Sequence, residues 1–410
     1  MSTEIVKVPP DRWAEYMSVA ELVFGETVTP EATERWRRLS DLERFFTTMD
    51  ERNRMVATGG LLTFNLTVPG GDMPAGGVTF VAVLPSHRRR GILRAMMRRM
   101  IDDIHERGEP IAILWASEGS IYQRFGYGLA TYSVNLEAET RLCGYARDWP
   151  SEGSFRLLTQ EEAAGVIAPI YDTARAQRAG FLGRTPEWWV TIAQDEDKKK
   201  GAEAKRIVVY ETADGPEAYA IYKTKGEWNA RGSVSSLSVD EAFGTTPRGT
   251  REIWRYLLDV DLMVQLKSWH LPPDHPLLML AAQPRRLGTT MGDGLWLRIV
   301  DAKAALEGRT YGVDGLGEGS LTLELRDEFC PWNAGRWRIE VAGGLAEVSR
   351  TDAAADLALD ANDLASLFLG GFSATALAHT GRVVELRSGA LAIGDGLFPT
   401  ALQPWCPQEF

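Results

Sequence analysis

A cluster of basic side chains follows an apolar, β-branched run in the first quarter of the chain and is suited to binding phosphate. The run 78–84 ends at Pro85, and segment 87–91, which reads His-Arg-Arg-Arg-Gly, follows. Guanidinium groups donate paired, charge-assisted hydrogen bonds that match a pyrophosphate, and a glycine lets the backbone approach it closely. The segment is a candidate phosphate site, although a solvated turn that only caps a helix has the same composition.

The residues after this basic turn have the spacing of an amphipathic helix. Apolar side chains recur every three to four positions, which is the helical period. They are Ile92, Leu93, Met96, Met97, Met100, Ile101 and Ile104. The predicted order is therefore strand, basic turn, helix. The N-terminus of such a helix offers unpaired backbone N–H groups and the positive end of the helix dipole to an anion.

A second group of candidate residues follows a buried strand predicted at residues 111–116. A Ser-Glu-Gly sequence interrupts this strand, Ser120 is suited to cap a short helix, and Gly126 is suited to end it. Tyr122 lies within the predicted helix. Taken alone, the aromatic residues of this segment read as ordinary packing.

The order of these two groups resembles the acetyl-CoA site of the GNAT superfamily of N-acetyltransferases. Arg88 and Gly91 match its pyrophosphate loop, Arg/Gln-x-x-Gly-x-Gly/Ala, whereas Leu93 replaces the final small residue. Tyr122 matches the tyrosine of the signature Tyr-x-x-x-Gly-Phe/Tyr, which lies near the thioester sulfur in that superfamily. The resemblance implies acetyl-CoA as cosubstrate and a reaction without a metal.

Longer strings along the chain resemble the Eis (enhanced intracellular survival) family of actinobacterial aminoglycoside N-acetyltransferases. The strings are His-Arg-Arg-Arg-Gly at 87–91, Ala-Ser-Glu-Gly-x-Ile-Tyr-x-Arg-Phe-Gly-Tyr-Gly at 116–128, Asp-Gly-Leu-Trp-Leu-Arg at 293–298 and the terminal Glu409-Phe410. This resemblance implies mixed α/β and α+β folds: tandem GNAT domains, the second degenerate, and then a sterol-carrier-protein-like domain. It also implies a homohexamer.

The resemblance assigns residues to the acyl donor and to the amine. The backbone of Val81, Ala82 and Val83 is expected to pair with the pantetheine as an added strand. The other residues implied to bind acetyl-CoA are Arg88, Arg89, Arg90, Gly91, Ile92, Leu93, Arg94, Ser117 and Glu118. The residues implied to bind the amine are Phe24, Glu26, Trp36 and Glu409. Rings and carboxylates suit a cation, although Phe24 and Trp36 also read as core residues.

Direct attack by an alkylamine needs a proton acceptor, because a group of pKa roughly 10 arrives mostly protonated. The histidines at positions 87, 105, 270, 275 and 379 offer no clear base. In the resembled family the base is the terminal α-carboxylate, here that of Phe410. Its intrinsic pKa is roughly 3.3–3.7, so this carboxylate is a weak base by itself. It must stabilise the ammonium, accept the proton through a water molecule, or have a pKa that burial raises. Tyr122 is the implied general acid.

Length and local composition divide the chain into three predicted domains. With 410 residues the chain exceeds one ordinary domain. We expect a catalytic domain at 1–148, a degenerate GNAT-like domain at 149–292, and a domain at 293–410 that delivers the C-terminus. In the second, only Arg248 remains of the basic cluster before the helical pattern, so we expect no CoA binding there. The charged segment 195–200 is predicted to be a solvated loop.

Charge and cysteine content exclude several functions. The net charge of −11 argues against general nucleic-acid binding. Cys143, Cys330 and Cys406 are far apart and show neither a disulfide framework nor metal-ligand spacing. The N-terminus lacks a secretion-signal pattern and no run approaches a membrane span, so we expect a cytoplasmic protein that does not bind membranes.

Two other functions fit the same residues. The chain could acetylate lysine side chains of a protein or peptide, which requires an open acidic groove. It could also be a lipid-binding or regulatory module whose acetyltransferase half is inactive. The basic loop, Tyr122 and Phe410 count against this last possibility.

Overall fold

The computed structural model describes residues 4–193 and 204–410, so the charged segment 195–200 lies outside the described residues. The chain forms two compact units. The first comprises Met1–Thr131, Leu295–Pro404 and Gln408–Phe410, and the second comprises Tyr132–Gly294 and Trp405–Pro407.

The secondary structure alternates strands with helices through the first two-thirds of the chain. Up to residue 131 the strands are β1 Val6–Lys7, β2 Phe45–Met49, β3 Met55–Val68, β4 Gly71–Val83, β5 Ile111–Trp115 and β6 Gly128–Leu129. The helices there are α1 Trp13–Phe24, α2 Pro30–Leu39, α3 Ile92–Glu106 and α4 Gly119–Tyr122.

The second unit has the same character. Its strands are β7 Tyr132–Glu139, β8 Ser154–Leu158, β9 Arg206–Thr212, β10 Gly215–Lys225, β11 Trp228–Asn229, β12 Gly232–Ser233, β13 Ser235–Gly244, β14 Met263–Leu271 and β15 Thr290–Asp293. Its helices are α5 Gln160–Arg175, α6 Pro186–Ala193, α7 Pro247–Leu258 and α8 Leu277–Leu280.

From Leu295 to Pro404 the chain returns to the first unit. Its strands are β16 Leu295–Ile299, β17 Gly319–Arg326, β18 Gly335–Ala342, β19 Leu345–Arg350, β20 Leu357–Asp360 and β21 Val383–Glu385. Its helices are α9 Ala302–Glu307, α10 Ala361–Phe368, α11 Ala374–His379 and α12 Ala390–Leu397. Strands β17–β21 form a separate sheet in the order β19-β18-β17-β20-β21.

The main sheet of the first unit divides near its middle. Its strand order is β1-β2-β3-β4-β5-β16-β6, with β4 and β5 parallel and the other pairs antiparallel. The two parallel strands pair only where Ala75–Gly77 faces Ile111–Ile113. Beyond this point β4 runs on to Val83 without pairing to β5, which leaves the β4 edge open.

A bulge in β4 accompanies this divergence. The β3–β4 register shifts between Thr58 and Gly60, and Phe80 takes a positive φ of 52°. An extra residue on one strand bends that strand and redirects its edge. The Thr58 hydroxyl donates a 2.7 Å hydrogen bond to the Phe80 carbonyl, which helps to hold the bulge.

Helix α3 forms as the periodicity predicts. Its apolar side chains, including Met97 and Ile101, are fully buried in the core of the first unit. Gly91 precedes the helix with φ 82°, and Gly108 follows it with φ 71°. Both values lie in the left-handed region that favours glycine.

The second unit repeats the plan of the first. Its sheet order is β15-β7-β14-β13-β10-β9-β8, and β13 and β14 are the parallel pair, joined through α7. The sequence β9-β10-β13-α7-β14 therefore corresponds to β2-β3-β4-α3-β5.

Two strands do not follow the domain limits predicted at residues 148 and 292, because each belongs to the sheet of the neighbouring predicted domain. β7 pairs with β14 and β15 in the second sheet, although it precedes residue 148. β16 lies between β5 and β6 in the first sheet, although it follows residue 292. Composition along the chain does not reveal such an exchange, because strand pairing joins segments distant in sequence. The limits themselves remain predictions.

Candidate active site

The diverging strands β4 and β5 and the start of α3 enclose a cleft of about 890 Å³ in the first unit. Most of the residues implied by the sequence line it. They are Phe24, Val81, Ala82, Val83, Arg88, Arg89, Gly91, Ile92, Leu93, Arg94, Ser117, Glu118 and Tyr122. Residues from three distant parts of the first 131 positions thus meet in one cavity.

The N-terminus of α3 forms the basic wall of this cleft. Gly91 occupies the N-cap position and no side chain caps the helix, so the first amide N–H groups of α3 have no capping partner. A Cβ built on Gly91 would meet nothing within 4 Å, so the backbone here is openly accessible. Arg88 and Arg89 line the same cavity. This wall fits a pyrophosphate.

Arg90 does not line the cleft with its neighbours. Its guanidinium donates a 3.1 Å hydrogen bond to the Ser86 carbonyl and borders an adjacent cavity of about 820 Å³ with Asp50 and Arg52. The left-handed conformation of Arg89, φ 64°, separates the two sides of the turn. The role predicted for Arg90 remains a prediction.

The open edge of β4 forms the opposite wall. Val81, Ala82 and Val83 lie beyond the last residue of β4 that pairs with β5, and all three line the cleft. A strand edge of this kind presents unpaired N–H and C=O groups to an extended ligand. The edge suits the amide groups of a pantetheine chain.

Tyr122, on α4, lines the cleft and is buried. The structure begins this helix at Gly119 with Glu118 at the N-cap, two residues earlier than a Ser120 cap would require. Gly126, with φ 81°, ends the following turn as predicted. Burial, and then the negative charge of Glu118, raises the pKa of Tyr122 to about 12. The phenol is therefore protonated near neutral pH and able to donate a hydrogen bond.

The last three residues of the chain also lie in the first unit. The Trp115 indole N–H donates a 2.8 Å hydrogen bond to the Gln408 carbonyl. The Phe410 ring lies 4.8 Å from the Phe64 ring. A methyl group at Gly77 would come within 3.0 Å of the Phe410 ring, so the terminal residue sits where β4 and β5 cease to pair.

Two of the residues implied to bind the amine influence each other electrostatically. Partial burial, and then the nearby Glu26 carboxylate, raises the pKa of Glu409, although the residue as a whole is solvent-exposed. Phe24 is 45% exposed and borders the cleft. Trp36 instead packs edge-on against Phe80, 5.0 Å between ring centroids, at the β4 bulge.

Sequence reasoning missed several residues of the cleft. Val23, Ile121, Arg124 and Phe125 also line it. The signal for Arg124 was present, since it belongs to the long string at 116–128. Its position in a turn gave no indication of the direction in which its side chain points.

In the second unit a carboxylate occupies the corresponding helix N-terminus. The Thr246 hydroxyl caps α7 and donates a 2.8 Å hydrogen bond to the Glu217 carboxylate, and Arg248 also donates to Glu217. A Cβ on Gly249 would lie 2.8 Å from the Glu217 carbonyl oxygen. The protein's own acidic group therefore fills the position of an anionic ligand, consistent with the expected lack of CoA binding.

Within residues 4–193 and 204–410, no group of three or more His, Cys, Asp or Glu side chains is arranged to hold a metal ion. None of the helices in these ranges combines the length and apolar character needed to cross a bilayer. The three cysteines are buried.

Three models of protein families match the chain. An acetyltransferase (GNAT) domain matches residues 4–130, a second acetyltransferase (GNAT) domain matches 180–299, and a sterol carrier protein domain matches 302–407. These matches confirm the predicted tandem GNAT domains and the C-terminal domain. The fold and the site thus define an N-acetyltransferase of the GNAT class, and a GNAT fold implies use of acetyl-CoA.

Similar proteins extend over the whole chain. An uncharacterized N-acetyltransferase of Streptomyces avermitilis is 35% identical, covering all of both chains. N-acetyltransferase Eis of Mycobacterium tuberculosis is 33% identical, again covering both chains completely. The crystal structure of Eis1 from Mycobacterium abscessus superimposes with a TM-score of 0.86 at 31% identity over 100% of each chain. The chain belongs to the Eis family of N-acetyltransferases.

Proposed function

We propose that this enzyme transfers the acetyl group of acetyl-CoA to an amine of a polycationic small molecule of the aminoglycoside class. The reaction proceeds by direct attack of the amine on the thioester. The observation that carries the proposal is the position of Phe410, the terminal residue, against Phe64 and against Gly77, the last residue of β4 before the open edge.

The cleft has the groups that acetyl-CoA requires. The α3 N-terminus, Arg88 and Arg89 bind the pyrophosphate, and the edge Val81–Val83 pairs with the pantetheine. Ser117 and Glu118 lie on the β5 side of the same cleft. Acetyl-CoA supplies the acetyl group as an activated thioester; the protein binds it and orients it for attack.

Two groups of the chain act as proton acceptor and hydrogen-bond donor in the reaction. The Phe410 carboxylate stabilises the ammonium and accepts a proton as the amine attacks, directly or through water. The Tyr122 hydroxyl donates a hydrogen bond to the departing sulfur. Because the pKa of Tyr122 is raised to about 12, this phenol keeps its proton until negative charge develops on the departing sulfur.

The acidic residues near the terminus favour a substrate with several ammonium groups. Glu26 and Glu409 repel each other, and a bound cation relieves that repulsion. The ring of Phe24 offers an additional surface for a cation. Acetylation of one amine removes one positive charge from the substrate and so weakens its attraction to this site.

Removal of the terminal residue tests the proposal. Thiol release from acetyl-CoA is measured with a panel of aminoglycosides and with lysine peptides, using untagged protein and a variant that lacks Phe410. We expect turnover with aminoglycosides to fall about 100-fold or more, the contribution typical of general base catalysis. A variant that lacks residues 1–3 serves as the control and retains turnover.

Other outcomes select other functions. Undiminished turnover after loss of Phe410 places the base elsewhere. Faster thiol release with lysine peptides than with any aminoglycoside would show that the substrate is a protein and not a small molecule. Failure of the protein to bind CoA would contradict the proposed function.

The proposal includes assembly as a homohexamer, as the family resemblance implies. Exposed apolar side chains on the second unit, among them Trp269 and Met291, provide surface suited to self-association. Sedimentation velocity measures the assembly: a mass near six times 45.3 kDa supports it, and a monomer contradicts it.

A further inference from the structure

The cleft carries positive charge on two separate elements. Arg88, Arg89 and Arg94 belong to the turn before α3 and to its first helical turn, whereas Arg124 belongs to the turn that follows α4. Among the described residues that line the cleft, Glu118 provides the one carboxylate. The cavity is thus strongly basic although the chain as a whole is acidic.

The turn that carries Arg124 is well fixed. Phe125 is buried and packs edge-on against Phe329 at 5.1 Å between ring centroids, and Gly126 closes the turn in the left-handed conformation. Arg124 itself is exposed to the cleft. It forms no ion pair with any residue in the described part of the chain, so its guanidinium is available to a ligand.

CoA carries a second phosphate group in addition to the pyrophosphate that suits the turn before α3. A pyrophosphate matches the α3 N-terminus together with Arg88 and Arg89. CoA carries in addition a 3′-phosphate, with a charge of about −1.5 to −2 near neutral pH, like other phosphate monoesters. A second basic group on the facing element is suited to this second phosphate.

We propose that Arg124 binds the 3′-phosphate of CoA and makes the enzyme select CoA esters over dephospho-CoA esters. Arg94, whose guanidinium lies 5.6 Å from the Phe329 ring, borders the cleft and adds to the positive potential. The inference rests on the proposed use of acetyl-CoA and names a further determinant of specificity for it.

Calorimetric titration of the full chain with CoA and with dephospho-CoA tests the inference. We expect the wild-type protein to bind CoA about tenfold more tightly than dephospho-CoA, as loss of a charge-assisted contact implies. Arg124→Gln should weaken CoA binding by that factor, leave dephospho-CoA binding unchanged, and so abolish the preference. Arg124→Lys keeps the charge and should retain part of it.

Arg52→Gln is the matched control, because Arg52 is also exposed and lies in the neighbouring cavity outside the cleft. This variant should keep the full preference for CoA. Equal affinity of the wild-type protein for both ligands overturns the inference, as does an Arg124→Gln variant that keeps the preference or loses both ligands equally. Failure of the wild-type protein to bind either ligand overturns the acetyl-CoA proposal instead.

Discussion

The ring of Phe410 lies 4.8 Å from that of Phe64 on β3, with the two ring planes inclined at 57°. Two residues earlier, the Gln408 carbonyl accepts a hydrogen bond from Trp115 on β5. The end of the chain is therefore held by strands on both sides of the divergence. Chain termini usually fray unless contacts hold them, and here contacts hold both the Phe410 ring and the Gln408 carbonyl.

Gly77 keeps space for this terminal ring. In Gly77→Ala the new methyl group would lie 2.6 Å from the Phe64 ring and 3.0 Å from the Phe410 ring. We expect turnover to fall about tenfold because a displaced base loses its geometry. Gly71→Ala, at the start of the same strand with nothing within 4 Å of the added Cβ, is the control. Similar rates for the two variants would show that the position of Phe410 is unimportant.

Tyr122→Phe removes the proposed donor and retains the ring. We expect kcat to fall about 100-fold, with the affinity for CoA unchanged, because the hydroxyl acts on the departing sulfur. The pKa of Tyr122, raised to about 12, keeps most of the phenol protonated between pH 8 and 10. The wild-type rate should therefore show no loss between pH 8 and 10 from ionisation of this group. A fall of the rate centred near pH 10 would show that the tyrosine has an ordinary pKa.

Glu409 makes amine binding depend on pH. Burial, and then Glu26, raises its pKa, so this carboxyl becomes neutral at a higher pH than an ordinary glutamic acid. Attraction for ammonium groups is present above that pKa and is lost as the pH falls through it. We expect KM for a polycationic amine to rise as the pH is lowered from 7 to 5.

Glu409→Gln should have a raised KM at pH 7 and a weaker dependence on pH. Glu51→Gln, an exposed carboxylate that borders the neighbouring cavity, should behave like the wild-type protein. An unchanged pH profile in Glu409→Gln would remove this residue from the amine site.

Gly91 and Gly108 flank α3 with similar positive φ values, 82° and 71°, and open space around each. Alanine at either position strains the backbone by a similar amount, about 1 kcal/mol. We expect both variants to lower the unfolding free energy about equally, whereas only Gly91→Ala weakens CoA binding. Equal CoA affinities would show that the N-terminus of α3 does not contact the cosubstrate.

Local sequence patterns predicted the elements around the cleft. The apolar run before Pro85 is the end of β4, and the periodic residues from Ile92 to Ile104 form the buried face of α3. Gly126 ends the turn after Tyr122 in the expected left-handed conformation. Each of these features depends on neighbours within a few residues, which a single sequence contains.

Features that depend on distant partners were not predictable in this way. Nothing in the apolar strand β16 indicates that it lies beside β5. The Glu217 carboxylate at the start of α7 reads as an ordinary strand residue, and Arg124 reads as an exposed turn residue. Phe410 acquires its significance only from the family resemblance and from its contact with Phe64.

The location of β16 affects how the chain folds during synthesis. When β5 has been made, the strand that covers its edge is still about 180 residues away, and Tyr132–Gly294 of the second unit lies between them. At roughly 5–20 residues per second the delay is roughly 10–35 s. For that time the β5 edge has no β16 to pair with and is open to wrong partners.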